Sequence, residues 1–232
     1  SVVTVSDNKV MTLSGTIMGT SSFVVESGST LVGPASLLTG VSVSGAGSTS
    51  VSALHVTLDA VLSGLTTTSV VAPFIGTATF TGDLGKAVVT VSDTNVMTLL
   101  GSTMGTSSFV VESGSTLVGP ASLLTGVSVS GDGSTSVSDL HSTLVADLSG
   151  LTTSPVVAAF AGTETFVGDL GKAVVSVSDT NVMTLLGATM GTSSFVVSSG
   201  SSLVGPASLL TGVSVSGAGT TSVSGLELTL DA

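Results

Sequence analysis

The chain has 232 residues, of which 42% are hydrophobic but only 7% charged and 3% aromatic, against about 25% charged in an ordinary soluble domain. Three Lys and fourteen acidic residues give a net charge of −11, which repels phosphate backbones and anionic membrane surfaces and argues against nucleic acid as a partner. The absence of Cys excludes a disulfide framework and thiolate metal sites, and the apolar residues never form the run of about 18–20 that a membrane-spanning helix needs.

In chain order, the first elements are short β-branched runs: VVTV (2–5), FVVE (23–26), VSVS (41–44), SVVAPF (69–74) and TATF (77–80). Apolar residues alternate with Ser and Thr at a period of two, the pattern of half-buried strands. Between such runs lie turn sequences, SGST (27–30), TGDLGK (81–86), SDTN (92–95) and GDGS (131–134). Each pair of runs flanking a turn reads as a hairpin. With so few Lys and Glu and no Arg, helix formers are scarce, and Val, Thr and Ser point independently to an all-β chain.

The same passages return at a fixed interval. Residues 19–45 reappear unchanged at 105–131 and with two changes at 191–217, a period of 86 residues. The chain thus holds two full copies and a partial third. One segment is ambiguous: residues 136–150 place Val137, Leu140, Leu144 and Leu148 at helical spacing. Its counterparts alternate strictly, as Leu54, Val56, Leu58, Ala60 and Leu62 in the first copy and Leu226, Leu228 and Leu230 in the third. A strand is the reading common to all three.

Two architectures follow. Seven or eight short strands per copy, with turns at regular spacing, resemble the tandem immunoglobulin-like modules of bacterial surface proteins. That resemblance implies antiparallel β-sandwiches spanning 1–62, 63–148 and 149–232, the first short of two strands that another chain would supply by strand addition. Alternatively, VVESGSTLVGPASLLTG followed by VSVSGAGSTSVSAL resembles the stacked coils of autotransporter-type adhesins, a continuous β-solenoid with roughly 17–22 residues per coil. A solenoid can stop after any coil, which accommodates the partial third copy. Against it, successive coils do not resemble one another; only the 86-residue unit repeats. The sandwich is the first reading and the solenoid its alternative.

Residues able to do chemistry are few. His55 and His141 share a repeat position that holds Glu227 in the third copy, as expected of a solvent-facing strand residue. Serines are plentiful but none sits in a G-x-S-x-G elbow, and no P-loop or dinucleotide fingerprint occurs. Asp93 and Asn95, repeated as Asp179 and Asn181, place hard oxygen donors in a turn where calcium could bind, although Lys9 breaks the pattern in the first copy and Asx residues favour turns without an ion. Asp83 and Asp169 occupy the GDLGK turn. Lys86, Asn95 and Glu112 raise a Lys–Asn isopeptide crosslink, but Glu112 becomes Ser198 in the third copy. The Phe residues at 23, 80, 109, 166 and 195 are core candidates. No cofactor is expected.

A processed or partial chain is expected, since it begins with Ser1 and carries no signal-like segment. The function expected is structural and non-enzymatic: an extracellular or cell-surface repeat protein that associates with copies of itself in a filament, stalk, sheath or surface layer. The alternative is a spacer region of a ligand-binding adhesin.

Overall fold

The short runs form strands, but every pairing among the described residues is parallel, as in β1 (Val2–Val5) against β3 (Ser22–Val25). The computed structural model describes residues 1–15, 18–55, 59–141 and 145–225. Strands and single-turn helices follow in order: β2 (Val10–Thr12), β4 (Thr30–Gly33), α1 (Ala35–Leu38), β5 (Val43–Ser44), β6 (Ser48–Val51), β7 (Leu54–His55), β8 (Ser69–Ile75), β9 (Ala78–Phe80) and β10 (Val88–Val91). Then come β11 (Val96–Leu99), β12 (Ser108–Val111), β13 (Thr116–Pro120), α2 (Ala121–Leu124), β14 (Ser128–Ser130), β15 (Ser134–Leu140), β16 (Ala146–Asp147), β17 (Val156–Phe160) and β18 (Thr163–Phe166). The last are β19 (Gly168–Asp169), β20 (Val174–Val177), β21 (Val182–Leu185), β22 (Ser194–Val197), β23 (Ser202–Pro206), α3 (Ala207–Leu210), β24 (Ser214–Ser216) and β25 (Thr220–Ser224).

This arrangement is a β-solenoid of about 11 turns in all, and it overturns the antiparallel sandwich. The donor-strand idea for residues 1–62 falls with it. The chain contacts divide into two units, Ser1–Val118 with Val127–Ser134, and Gly119–Gly126 with Thr135–Ala232.

In the first unit one column of outward-facing residues carries the register. Thr12, Val32, Ser50, Val71, Val88, Ser108 and Ser128 pair in succession. Each step is one coil, the shortest running from Val71 to Val88 and the longest from Ser50 to Val71. The interior residues stack in files: Ala72, Val89, Phe109 and Val129 form one, and Phe74, Val91 and Val111 the next. In the second unit Val137, Ala158, Val175 and Phe195 stack alike beside Leu140, Phe160, Val177 and Val197. All of these file residues are buried, so each coil covers the apolar side chains of the next. All five core-candidate Phe are buried.

The turns read as hairpin loops are corners of the coil. At SDTN, Asp93 (φ 57°) and Thr94 (φ 60°) are both left-handed, and the Asn95 N–H donates to Ser92 O at 3.1 Å. Such a turn can close a two-residue hairpin, but a hairpin here would put Val89 and Val91 on one face with Thr98 and Val96. The buried residues are instead Val89, Val91, Met97 and Leu99, so a hairpin would expose half of them. Carrying the chain to the next side of a coil buries all four.

The 86-residue repeat is not a whole number of coils. From Thr12 to Val88 the chain completes four coils, and what remains of the repeat is the stretch from Val2 to Thr12. Consequently β10, the second copy of β1, stacks on β8 in the column of β2, β4 and β6. In the second unit β20, the third copy, likewise joins β15 and β17.

Between the strand-bearing sides, Pro34-Ala35-Ser36-Leu37-Leu38 makes one helical turn that buries Ala35 and Leu38. Thr39 closes it, and its Oγ1 accepts the N–H of Val61 in the next coil at 2.7 Å. In the second unit Thr125 accepts the N–H of Asp147 at 2.6 Å. Within the ambiguous segment, β15 and β16 are strands as expected. Leu144, Val56, Leu58 and the third-copy leucines lie outside the described residues.

Candidate functional site

The calcium candidates are occupied as turn formers. Asp93 Oδ2 accepts the Ser92 hydroxyl at 3.2 Å, and Asp179 Oδ2 accepts that of Ser178 at 2.9 Å. Asn95 is held by its backbone, its carbonyl accepting the Thr116 N–H at 3.0 Å, while Asn181 Nδ2 donates to Phe160 O at 3.1 Å across to the preceding coil. Among the described residues no three His, Cys, Asp or Glu side chains lie together in a metal-holding group. In the GDLGK turns, Asp83 Oδ1 accepts the Gly85 N–H at 2.9 Å and Asp169 Oδ1 that of Gly171 at 2.8 Å. Both carboxylates thus brace a tight turn locally.

The two lysines of these turns also have defined partners. Lys86 Nζ donates to Thr66 O at 3.2 Å and Lys172 Nζ to Thr152 O at 2.6 Å, both at the surface and both reaching one coil back. The Lys86 ammonium of the isopeptide candidate is thus engaged with a backbone carbonyl and not with the Asn95 side chain. His141 is part-exposed, 4.0 Å from the Asp139 carboxylate. The side chain of His55 and all of Glu227 lie outside the described residues.

Two surface hollows occupy equivalent places. One, of about 230 Å³, lies between Met18-Gly19 and Ser36, Leu37, Thr39 and Val41. The other, of about 530 Å³, is bounded by Met190, Gly191 and Ser208–Ser214, the corresponding residues of the third copy. No ionisable side chain lines either one. They are gaps between a corner and the helical turn of the next coil, with hydroxyls but no acid, base or cation to act on a ligand.

One repeated polar feature escaped the sequence reading. Thr49 and Thr67 are fully buried with hydroxyls 2.8 Å apart, and Thr135 and Thr153, one repeat further on, form the same pair at 2.6 Å. Thr67 Oγ1 also donates to Ser69 O at 3.0 Å. The Thr67 proton is therefore committed, and Thr49 is the donor within the pair. The pair links adjacent coils at a corner and is structural. Its signal in the sequence was recurrence at the repeat interval, hidden among many outward Ser and Thr.

No helix of the described residues is long and apolar enough to cross a membrane. No family model, curated protein or solved structure matches the chain.

Proposed function

We propose that the chain is a passive spacer, a stretch of stacked coils that sets a distance within an extracellular or cell-surface protein whose recognition lies in other segments. The register held through seven strands from Thr12 to Ser128 is the observation that carries this reading. Such a ladder resists bending and collapse because each coil shares its backbone hydrogen bonds and core with the next. Its outward faces are rich in Ser, Thr and Val, and Asp83, Asp93, Asp169 and Asp179 are braced in turns rather than gathered in a cleft, as suits support.

Inserting further copies of the repeat tests the reading. With dyes at both ends, each copy should add about 20 Å, just over four coils at roughly 4.8 Å each. Length growing only as the square root of copy number, as in a flexible linker, would contradict a spacer.

A further inference from the structure

The corner Gly131-Asp132-Gly133, which joins β14 to β15, holds the one Asp–Gly bond of the chain. Every other Asp is followed by a residue with a side chain, and the equivalent corners of the first and third copies carry Ala46 and Ala218 in place of Asp132. An Asp followed by Gly is the pair most open to succinimide formation, because no side chain hinders the following amide nitrogen from reaching the carboxyl. Asp132 is exposed, while Gly133 is buried. The Gly133 N–H, which such a reaction would have to free, donates to Val111 O in the preceding coil at 2.9 Å. Next to it the Ser134 N–H donates to Ser115 O at 3.0 Å. A Cβ at Gly133 would run into the carbonyl oxygens of Glu112 and Ser115 and into Cγ1 of Val111. The nitrogen is thus both hydrogen-bonded and walled in by the neighbouring coil.

We propose that Asp132–Gly133 is a site of spontaneous isoaspartate formation that the stacked corner holds in check, so that loss of register at this coil is recorded covalently. The Gly133 nitrogen gives up its proton and attacks Cγ of the protonated Asp132 carboxyl. The N–Cγ bond forms, a Cγ–O bond breaks, and the departing hydroxyl takes up the proton and leaves as water. A second water then opens the ring. Breaking the new N–Cγ bond restores Asp, whereas breaking the bond between the Asp132 carbonyl carbon and the nitrogen leaves isoaspartate, with the main chain running through Cβ and Cγ. Water is the only co-reactant, and the mass is unchanged. In the folded chain the first step needs the Gly133 N–H released from Val111 O, the same local opening that amide exchange requires. The lengthened link then has to fit a corner without room for a Cβ at Gly133, so the product does not restore both hydrogen bonds. The inference goes beyond the spacer reading, which is tested by length and stands or falls separately.

Keeping the full chain in neutral buffer and in concentrated urea tests this, with peptide mapping by chromatography and mass spectrometry to separate the two isomers of equal mass. Isoaspartate at residue 132 should accumulate in urea and form at least about tenfold more slowly in the folded chain. Equal rates in the two conditions, or no isoaspartate in urea, would overturn the proposal. In urea Gly133→Ala should slow the reaction several-fold, a comparison that does not require the variant to fold. An unchanged rate there would contradict attack by an unhindered Gly133 nitrogen. Returned from urea, the isoaspartate-bearing chain should exchange its Gly133 and Ser134 amides faster than unmodified chain carried through the same steps. Equal protection of both amides would show that the corner readmits the product, and would refute the covalent record.

Discussion

At the scale of single residues, glycine positions show most directly how tightly the coils approach. Gly45, Gly131 and Gly217 are one repeat position, with φ of 115°, 110° and 106°. A Cβ on each would sit 2.1–2.2 Å from the carbonyl oxygen of Val25, Val111 or Val197. Gly131→Ala should therefore cost about 3 kcal/mol or more, from backbone conformation plus a clash that no side-chain rotation relieves. Gly101, also left-handed at φ 65° but with open space around it, should cost only about 1 kcal/mol as Ala. Urea denaturation compares the two, and equal losses would contradict the close stacking. The buried threonines give an asymmetric result. Thr67→Val leaves the Thr49 hydroxyl buried without its acceptor and should cost about 1–3 kcal/mol. Thr49→Val leaves Thr67 still bonded to Ser69 O and should cost clearly less. These residues were not legible beforehand, since an inward Thr looks like an outward one when both alternate with valines.

At the scale of elements, the alternation that marked the strands also held the information that they are not hairpins. Reading SDTN as a hairpin loop places Val91 opposite Val96 and Val89 opposite Thr98, which conflicts with burying Met97 and Leu99. The same mismatch recurs at Ser113-Gly114, where Phe109 and Val111 are buried on one side and Leu117 on the other. Parity across the turn, checked on the sequence, distinguishes a corner from a hairpin. Strand existence, the all-β class and the buried phenylalanines were legible because period-two alternation and aromatic content do not depend on which strand pairs with which. The single-turn helices were not, since PASLL is too short to display a helical period. Within the files, Phe109 lies between Val89 and Val129. Phe109→Ala should cost about 3–5 kcal/mol, read as a lower urea midpoint. A loss under about 1 kcal/mol would mean that the file is not packed as described.

At the scale of the whole molecule, the long repeat concealed the coil. Coils of unequal length, such as Val71 to Val88 against Ser50 to Val71, keep register because corners of differing length absorb the difference, so no fixed short period appears in the sequence. The overhang in each repeat, equivalent to the stretch from Val2 to Thr12, then moves each copy one strand along, and identical outward residues occupy different columns in successive copies. The calcium and isopeptide candidates were sequence neighbours of turn and strand ends, and what their side chains meet depends on which coil lies behind them. That was invisible without the register. The central claim, a parallel ladder with one coil per step, is tested by electron spin distances in the first unit. The chain has no native Cys, so Ser128→Cys can be paired in turn with Val71→Cys, Ser50→Cys and Val32→Cys. These positions lie three, four and five steps away in the column. The ladder predicts backbone separations of about 14, 19 and 24 Å, rising by roughly 4.8 Å per step; separations that do not rise by this even increment would contradict it.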